Sequence, residues 1–338
     1  MPQPLVSIRK LALEASTTRG TAHILRGIDL DIGRGRILGV VGESGSGKSS
    51  LAACLVRLLP ANLSRISGAI VFDGTDLLAL DEAAMNAYRG TRVAMIFQDP
   101  MTALNPVLTI GHQIGEAIKT HFPDVKRGEI KSRVVTLLEL VGVPNPETRY
   151  DQYPHEFSGG MRQRAMIAMS IANSPSLLIA DEPTTALDVT IQAQVLEVMK
   201  KVMAETHAAT ILITHDLGIV AEMCDRVIVM YGGRVVESGD VNTIFRNPRH
   251  PYTIGLMNSL PTLTEDEERL EPIPGAPPSL INLPSGCAFH PRCFHSNGRD
   301  QCRTDIPQLV SAGDGHAAAC HFSDELAGFQ SKYSKGAA

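Results

Sequence analysis

At 338 residues the chain is long enough for roughly two domains and a sizeable buried core. Its composition, 43% hydrophobic, 20% charged and only 4% aromatic, fits a folded, aliphatic α/β protein and excludes a disordered one. A net charge of −5 leaves no general electrostatic reason to coat nucleic acid, whose phosphates demand concentrated Lys and Arg.

Along the chain, the N-terminus MPQPLVSIRK lacks a basic segment followed by an apolar core, and no apolar run approaches the ~18 residues of a spanning helix. A cytosolic protein is expected. Short β-prone runs recur at 6–13, 36–41, 93–97, 177–180, 210–214 and 227–231, several of them apolar on both faces, as buried parallel strands require. Between them, 48–59, 132–143 and 191–206 return an apolar residue every three or four positions, the helical period. This alternation predicts a layered, mainly parallel α/β sheet. Residues 98–172 carry helical periodicity with little strand character and are expected to form a helical subdomain. After about residue 255 the texture changes: Glu271–Ser279 holds four prolines, which sustain neither helix nor central strand, and reads as a linker. The accessory domain beyond it is too short to rely on a hydrophobic core alone.

Gly42-Glu-Ser-Gly-Ser-Gly47-Lys48-Ser49 fits G-x-x-x-x-G-K-[ST] and sits between a predicted strand and a predicted helix. Gly42, Gly45 and Gly47 permit backbone angles that turn N–H groups inward, so that residues 42–50, Ser44, Ser46 and Ser50 included, cradle phosphate at a helix N-terminus. Lys48 would reach the β- and γ-phosphates and Ser49 would ligate Mg2+. A second element, Leu177–Glu182, is an apolar strand ending in two carboxylates, where ligands of a parallel sheet collect. Such a pair also commonly ends a strand or caps the next helix. Beside the phosphate grip it reads as Asp181 in the magnesium shell and Glu182 as the base acting on a water. His215 follows the strand-like run 210–214 in the same way, either as a capping residue or in contact with the γ-phosphate or the attacking water. Between them, Ser158-Gly159-Gly160-Met-Arg-Gln163-Arg164 offers a serine and two glycines at a helix N-terminus, a second anion-binding element with no nucleotide motif of its own.

With these motifs in order, residues 5 to about 260 resemble the ATP-binding cassette (ABC) family, whose signature is close to S-G-G-x-x-Q-R. The resemblance implies a P-loop cassette with a mainly parallel core sheet, an antiparallel N-terminal β part, a helical signature subdomain and a small Cys-rich C-terminal extension. It implies that two cassettes meet head to tail, each ATP lying between the phosphate loop of one and Ser158, Gly159, Gly160 and Gln163 of the other. It also implies Gln98 as a magnesium ligand and the link to the helical subdomain, Asp188 of Ala186-Leu187-Asp188 at the interface, and His215 as the switch histidine. One departure stands out: the family's adenine-stacking aromatic is replaced near Ala15, leaving Ile24 or a neighbour to substitute.

Phe97–Pro106, Asp181–Gln192 and Asn247–Thr253, with Leu260-Pro261 beyond, are similar to the oligopeptide and dipeptide importer ATPases. That resemblance implies an ATPase domain over 1–258, an extension over 259–338, and an importer with a second ABC ATPase subunit, a related but different chain. It further implies two membrane permeases and an external solute-binding protein, with this subunit peripheral on the cytoplasmic face of the inner membrane. Relatives importing nickel, glutathione or other small solutes are the alternative, and a soluble cassette acting on nucleic acid or the ribosome is disfavoured by the charge.

Of six cysteines, four fall in the tail as Cys287, Cys293, Cys302 and Cys320, and in a reducing cytosol they read as metal-binding. Their spacing, C-x5-C-x8-C-x17-C, departs from paired structural zinc sites. The run Cys287-Ala-Phe-His-Pro-Arg-Cys293 resembles the peptide-importer tail, which implies a [4Fe-4S] cluster, with Zn2+ the alternative. His290, His295, His316 and His321 read as surface polar residues, and Cys54 and Cys224 as core.

Overall fold

The computed structural model describes residues 3–60, 63–185, 188–259, 272–313 and 315–329. In chain order its strands are β1 (Val6–Thr17), β2 (Gly20–Ile32), β3 (Ile37–Val41), β4 (Leu63–Phe72), β5 (Thr75–Asp76), β6 (Val93–Ile96), β7 (Leu177–Asp181), β8 (Ala209–Ile213), β9 (Arg226–Tyr231), β10 (Arg234–Asp240), β11 (Val310–Gly313) and β12 (His316–Ala318). Two sheets result: an antiparallel one ordered β2-β1-β4-β5, and a larger one ordered β11-β12-β10-β9-β3-β8-β7-β6. The stretch β9-β3-β8-β7-β6 is parallel throughout.

The parallel strands are buried on both faces because their side chains alternate between two cores. Leu38, Val40, Leu177, Ile179, Ile211 and Ile213 join β1, β4 and helix Lys48–Val56 on one side. Val41, Leu178, Ala180 and Leu212 join the helical layer on the other, with Ile114, Val134, Met166 and Val195. Between β6 and β7 the described chain is helical, including Ile110–His121, Arg127–Leu140 and Gly159–Ile171. Side-chain caps set where these helices begin: Thr109, Ser158, Asp188 and Asp216 each accept a bond from an N–H of their own first turn. Cys54 and Cys224 are buried, and burial pushes both thiols up to about 12.

The tail returns to the cassette. β12 pairs with β10, extending the large sheet, and the Leu280 carbonyl accepts the His23 N–H of β2 at 2.9 Å. His316, read from the sequence as a surface residue, is instead buried, its Nε2 2.7 Å from Glu237 of β10. Glu237 is 0% exposed and also accepts the backbone N–H groups of Arg249 and His250. Glu237→Ala would strand these donors in the interior, so a loss of about 3 kcal/mol is expected in urea denaturation.

Candidate nucleotide site

Register brings the motifs to one edge of the sheet. Val40 of β3 pairs with Ile213 of β8, Ile213 with Asp181 of β7, and Ala180 with Ile96 of β6. The residues that follow these strands, Gly42, His215, Glu182 and Gln98, therefore emerge side by side.

The loop after β3 turns sharply. Gly42 has φ 150° and a side chain there would meet the Met230 carbonyl at 2.2 Å; Gly47, with φ 103°, would meet that of Ile24 at 2.9 Å. Only glycine satisfies both the angle and the approach. Lys48, 6% exposed, donates from Nζ to the carbonyls of Gly42 at 2.7 Å and Glu43 at 3.0 Å. Burial pulls its ammonium below the ordinary lysine range, opposed by the carboxylates of Glu182, Asp181 and Glu43. Ser49 Oγ donates to Asp181 Oδ1 at 3.1 Å. Burial raises the Asp181 carboxyl, and the Ser49 bond works against that rise. Ser46 Oγ is buried without a hydrogen-bond partner. An unpartnered buried hydroxyl in this glycine-rich loop fits an anion held here.

Glu182 carries the most constrained backbone of the group. Its φ of 47° is left-handed, a conformation costing ~1–3 kcal/mol for a non-glycine residue. Its N–H remains bonded to the Ile213 carbonyl at 2.9 Å, which holds that angle in place. Its Oε2 accepts from Gln98 Nε2 at 3.2 Å and Thr185 Oγ1 at 2.8 Å, with His215 Nδ1 3.6 Å away. The strand-end carboxylate, the residue after β6 and the residue after β8 thus converge on one oxygen. Thr185 is a partner that motif reading passed over, although it lies only three positions from Glu182.

The signature elements occupy the start of the helix Gly159–Ile171. Ser158 caps helix Gly159–Ile171 and is exposed with Gly159, while Gly160 is buried where a Cβ would meet Ile191 Cγ2 at 2.6 Å. Gln163, 1% exposed, turns inward and donates to the Pro183 carbonyl at 2.6 Å, tying the signature helix to the loop beside Glu182. Asp188 caps helix Val189–Thr206; Ala186 and Leu187, like Leu260 and Pro261, lie outside the described residues. Ala15 is buried within β1, and Ile24 is half-buried next to Gly47.

Residues 25–185 match the family model described as ABC transporter, and residues 236–302 match the C-terminal region of the oligopeptide/dipeptide transporter. The chain is 51% identical over 314 residues to the oligopeptide transport ATP-binding protein OppD of Bacillus subtilis, covering 92% of this chain and 87% of that protein. The chain belongs to the ABC family. A second relative of the cassette, the OppD protein of Mycobacterium tuberculosis, is 49% identical over 94% of this chain, which spans only 52% of that protein's length. A solved dimeric ATP-binding cassette in a post-hydrolysis state, bound to ADP and Pi, shares the fold with a TM-score of 0.63 at 23% identity, over 70% of this chain and 98% of that one.

The cysteines of the cassette's tail gather without forming a ligand set. Among the described residues no three His, Cys, Asp or Glu side chains are arranged to hold a metal ion. Burial pushes the Cys320 thiol up to about 12 and that of Cys293 to about 11, with the neighbouring tail cysteines adding to both. The Cys287 N–H donates to the Cys302 carbonyl at 3.0 Å. Cys302 is buried and the other three are half-buried, burial raises all four thiols, and the iron–sulfur or zinc expectation is not met by their placement. No helix among the described residues is long and apolar enough to cross a membrane.

Proposed function

We propose that this cassette is the ATP-hydrolysing subunit of an importer of dipeptides or oligopeptides, with 1–258 the ATPase and 259–338 its transporter-specific extension. The observation that carries the cargo class is the oligopeptide-type C-terminal region, which begins within β10 of the cassette sheet. A second cassette, two membrane permeases and an external solute-binding protein complete the machine, which holds this subunit on the cytoplasmic face of the inner membrane.

In this reading the phosphate loop of residues 42–50 binds the phosphates of ATP through those N–H groups not already bonded within the protein, and Lys48 leaves its two carbonyls for the β- and γ-phosphates. Ser49, Asp181 and Gln98 would hold Mg2+, which supplies charge neutralisation at the phosphates. The Ser49–Asp181 bond and the raised Asp181 carboxyl support that role, since a cation would replace the shared proton and favour the carboxylate. Glu182 orients the attacking water and takes its proton, held by Thr185, Gln98 and the nearby His215, which itself turns to the γ-phosphate. Ser158, Gly159 and Gly160, with Gln163 behind them, face the nucleotide of the partner cassette, and Asp188 lies at that interface. Gln98 leads directly into the helical subdomain and passes closure toward the permeases. A metal in the tail would require its four thiols to close in and ionise, and the iron, sulfide and zinc content of an anaerobic preparation tests it.

The deciding experiment is uptake of labelled di- and oligopeptides by cells carrying the wild-type chain or Glu182→Gln. Uptake should collapse in the variant. Unchanged uptake, with the purified wild-type chain still hydrolysing ATP, would overturn the peptide cargo.

A further inference from the structure

The second residue of the phosphate loop, Glu43, is an acid in a site built for an anion. Its carboxylate is gripped by Arg292, which is 249 positions away in the tail: Nη1 donates to Oε2 at 2.7 Å and Nη2 to Oε1 at 2.9 Å. Arg292 is 9% exposed, and the remaining donors of its guanidinium are also used. Nη1 reaches Tyr231 Oη at 3.2 Å, Nε the Pro274 carbonyl at 2.8 Å and Nη2 that of Ile273 at 3.5 Å. Beneath it, Tyr231, Tyr252 and Phe289 pack ring against ring, with centroids 4.6 to 5.3 Å apart. The same cluster takes the backbone of Glu43, whose N–H donates to Tyr252 Oη at 2.7 Å. The Glu43 carbonyl in turn accepts Lys48 Nζ at 3.0 Å and the Ser46 N–H at 3.2 Å.

We propose that Arg292 is a positioning residue for nucleotide binding, acting through Glu43 to pull a negative charge out of the phosphate loop and to set the 42–43 peptide on which Lys48 rests. The inference depends on the reading of Gly42–Ser49 as the ATP site. A bidentate, shielded guanidinium–carboxylate pair is the strong form of the interaction and fixes orientation as well as charge. Without it, the Glu43 carboxylate would face an incoming polyanion with its charge uncompensated, and the loop would lose one of its anchors to the rest of the fold. The effect belongs to binding rather than to the chemical step, because Arg292 touches neither Glu182 nor Ser49 in the contacts that define it.

The test is steady-state ATP hydrolysis and equilibrium ATP binding for wild type, Arg292→Ala, Arg292→Lys, Glu43→Gln and the double variant Glu43→Gln/Arg292→Ala. Arg292→Ala should raise KM and Kd for ATP about tenfold with kcat changing less than about threefold, and Arg292→Lys should fall between it and wild type. The defect should shrink at high salt, and it should largely disappear when Glu43 is already Gln, since the repelling charge is then gone. A defect of equal size in both backgrounds, or one insensitive to salt, would assign Arg292 a purely structural role and overturn the proposal. An unchanged KM in folded Arg292→Ala would do the same. If Arg292→Ala does not fold, the lysine variant decides by the same KM and salt criteria. A wild-type chain that binds no ATP would overturn the nucleotide-site reading itself, and the clamp with it.

Discussion

Glu182→Gln should leave ATP binding within a few-fold of wild type while cutting phosphate release at saturating ATP by about 10²–10⁴-fold, the range supplied by a positioned general base. The substitution keeps the shape of the side chain and removes its basicity. An amide oxygen can still accept from Thr185 Oγ1 and Gln98 Nε2, the partners now at 2.8 and 3.2 Å, so the loop geometry should survive. The left-handed backbone at residue 182 is held by its own N–H on Ile213, which the change does not touch. Because hydrolysis is blocked after binding, the ATP-bound form should accumulate, and size-exclusion chromatography with ATP should show it as a dimer. Wild-type turnover in this variant would remove Glu182 from the role of base.

Lys48→Met should act one step earlier, weakening ATP binding itself by ~30- to 150-fold, the equivalent of about 2–3 kcal/mol for a charge-assisted contact. Methionine keeps most of the buried stem and deletes the ammonium. The loss should exceed that of a surface lysine because this cation is enclosed, and its present partners are two carbonyls it can exchange for phosphate oxygens. It would also leave Asp181 and Glu182 without the nearest balancing charge, so added Mg2+ should recover little binding. Isothermal titration with ATP and ADP measures both. Affinity within threefold of wild type would contradict a phosphate role for Lys48. The two variants separate cleanly: one binds and does not turn over, the other fails to bind.

The sequence by itself determined the elements whose signals are local. The six β-prone runs coincide with β1, β3, β6, β7, β8 and β9, the last five because strands of a parallel sheet buried on both faces are written as near-continuous aliphatic runs, and β1 because it alternates with one face buried. The phosphate loop was legible because Gly42 and Gly47 answer a demand set within a few residues, and the Asp181-Glu182 pair because a strand end marks the ligand edge of a parallel sheet. Only the tertiary structure decided the rest. β12 becomes a strand by pairing with β10 about eighty positions earlier, and the short, largely exposed β11 by pairing with β12 in turn, which no local pattern announces. His316 reads as a surface polar residue until β12 carries it onto buried Glu237. Gln163 belongs by motif to the signature, yet its buried amide is spent on the Pro183 carbonyl. Arg292 and Glu43 are two ordinary charges in the sequence; folding the tail against the phosphate loop excludes water from between them and makes them one pair.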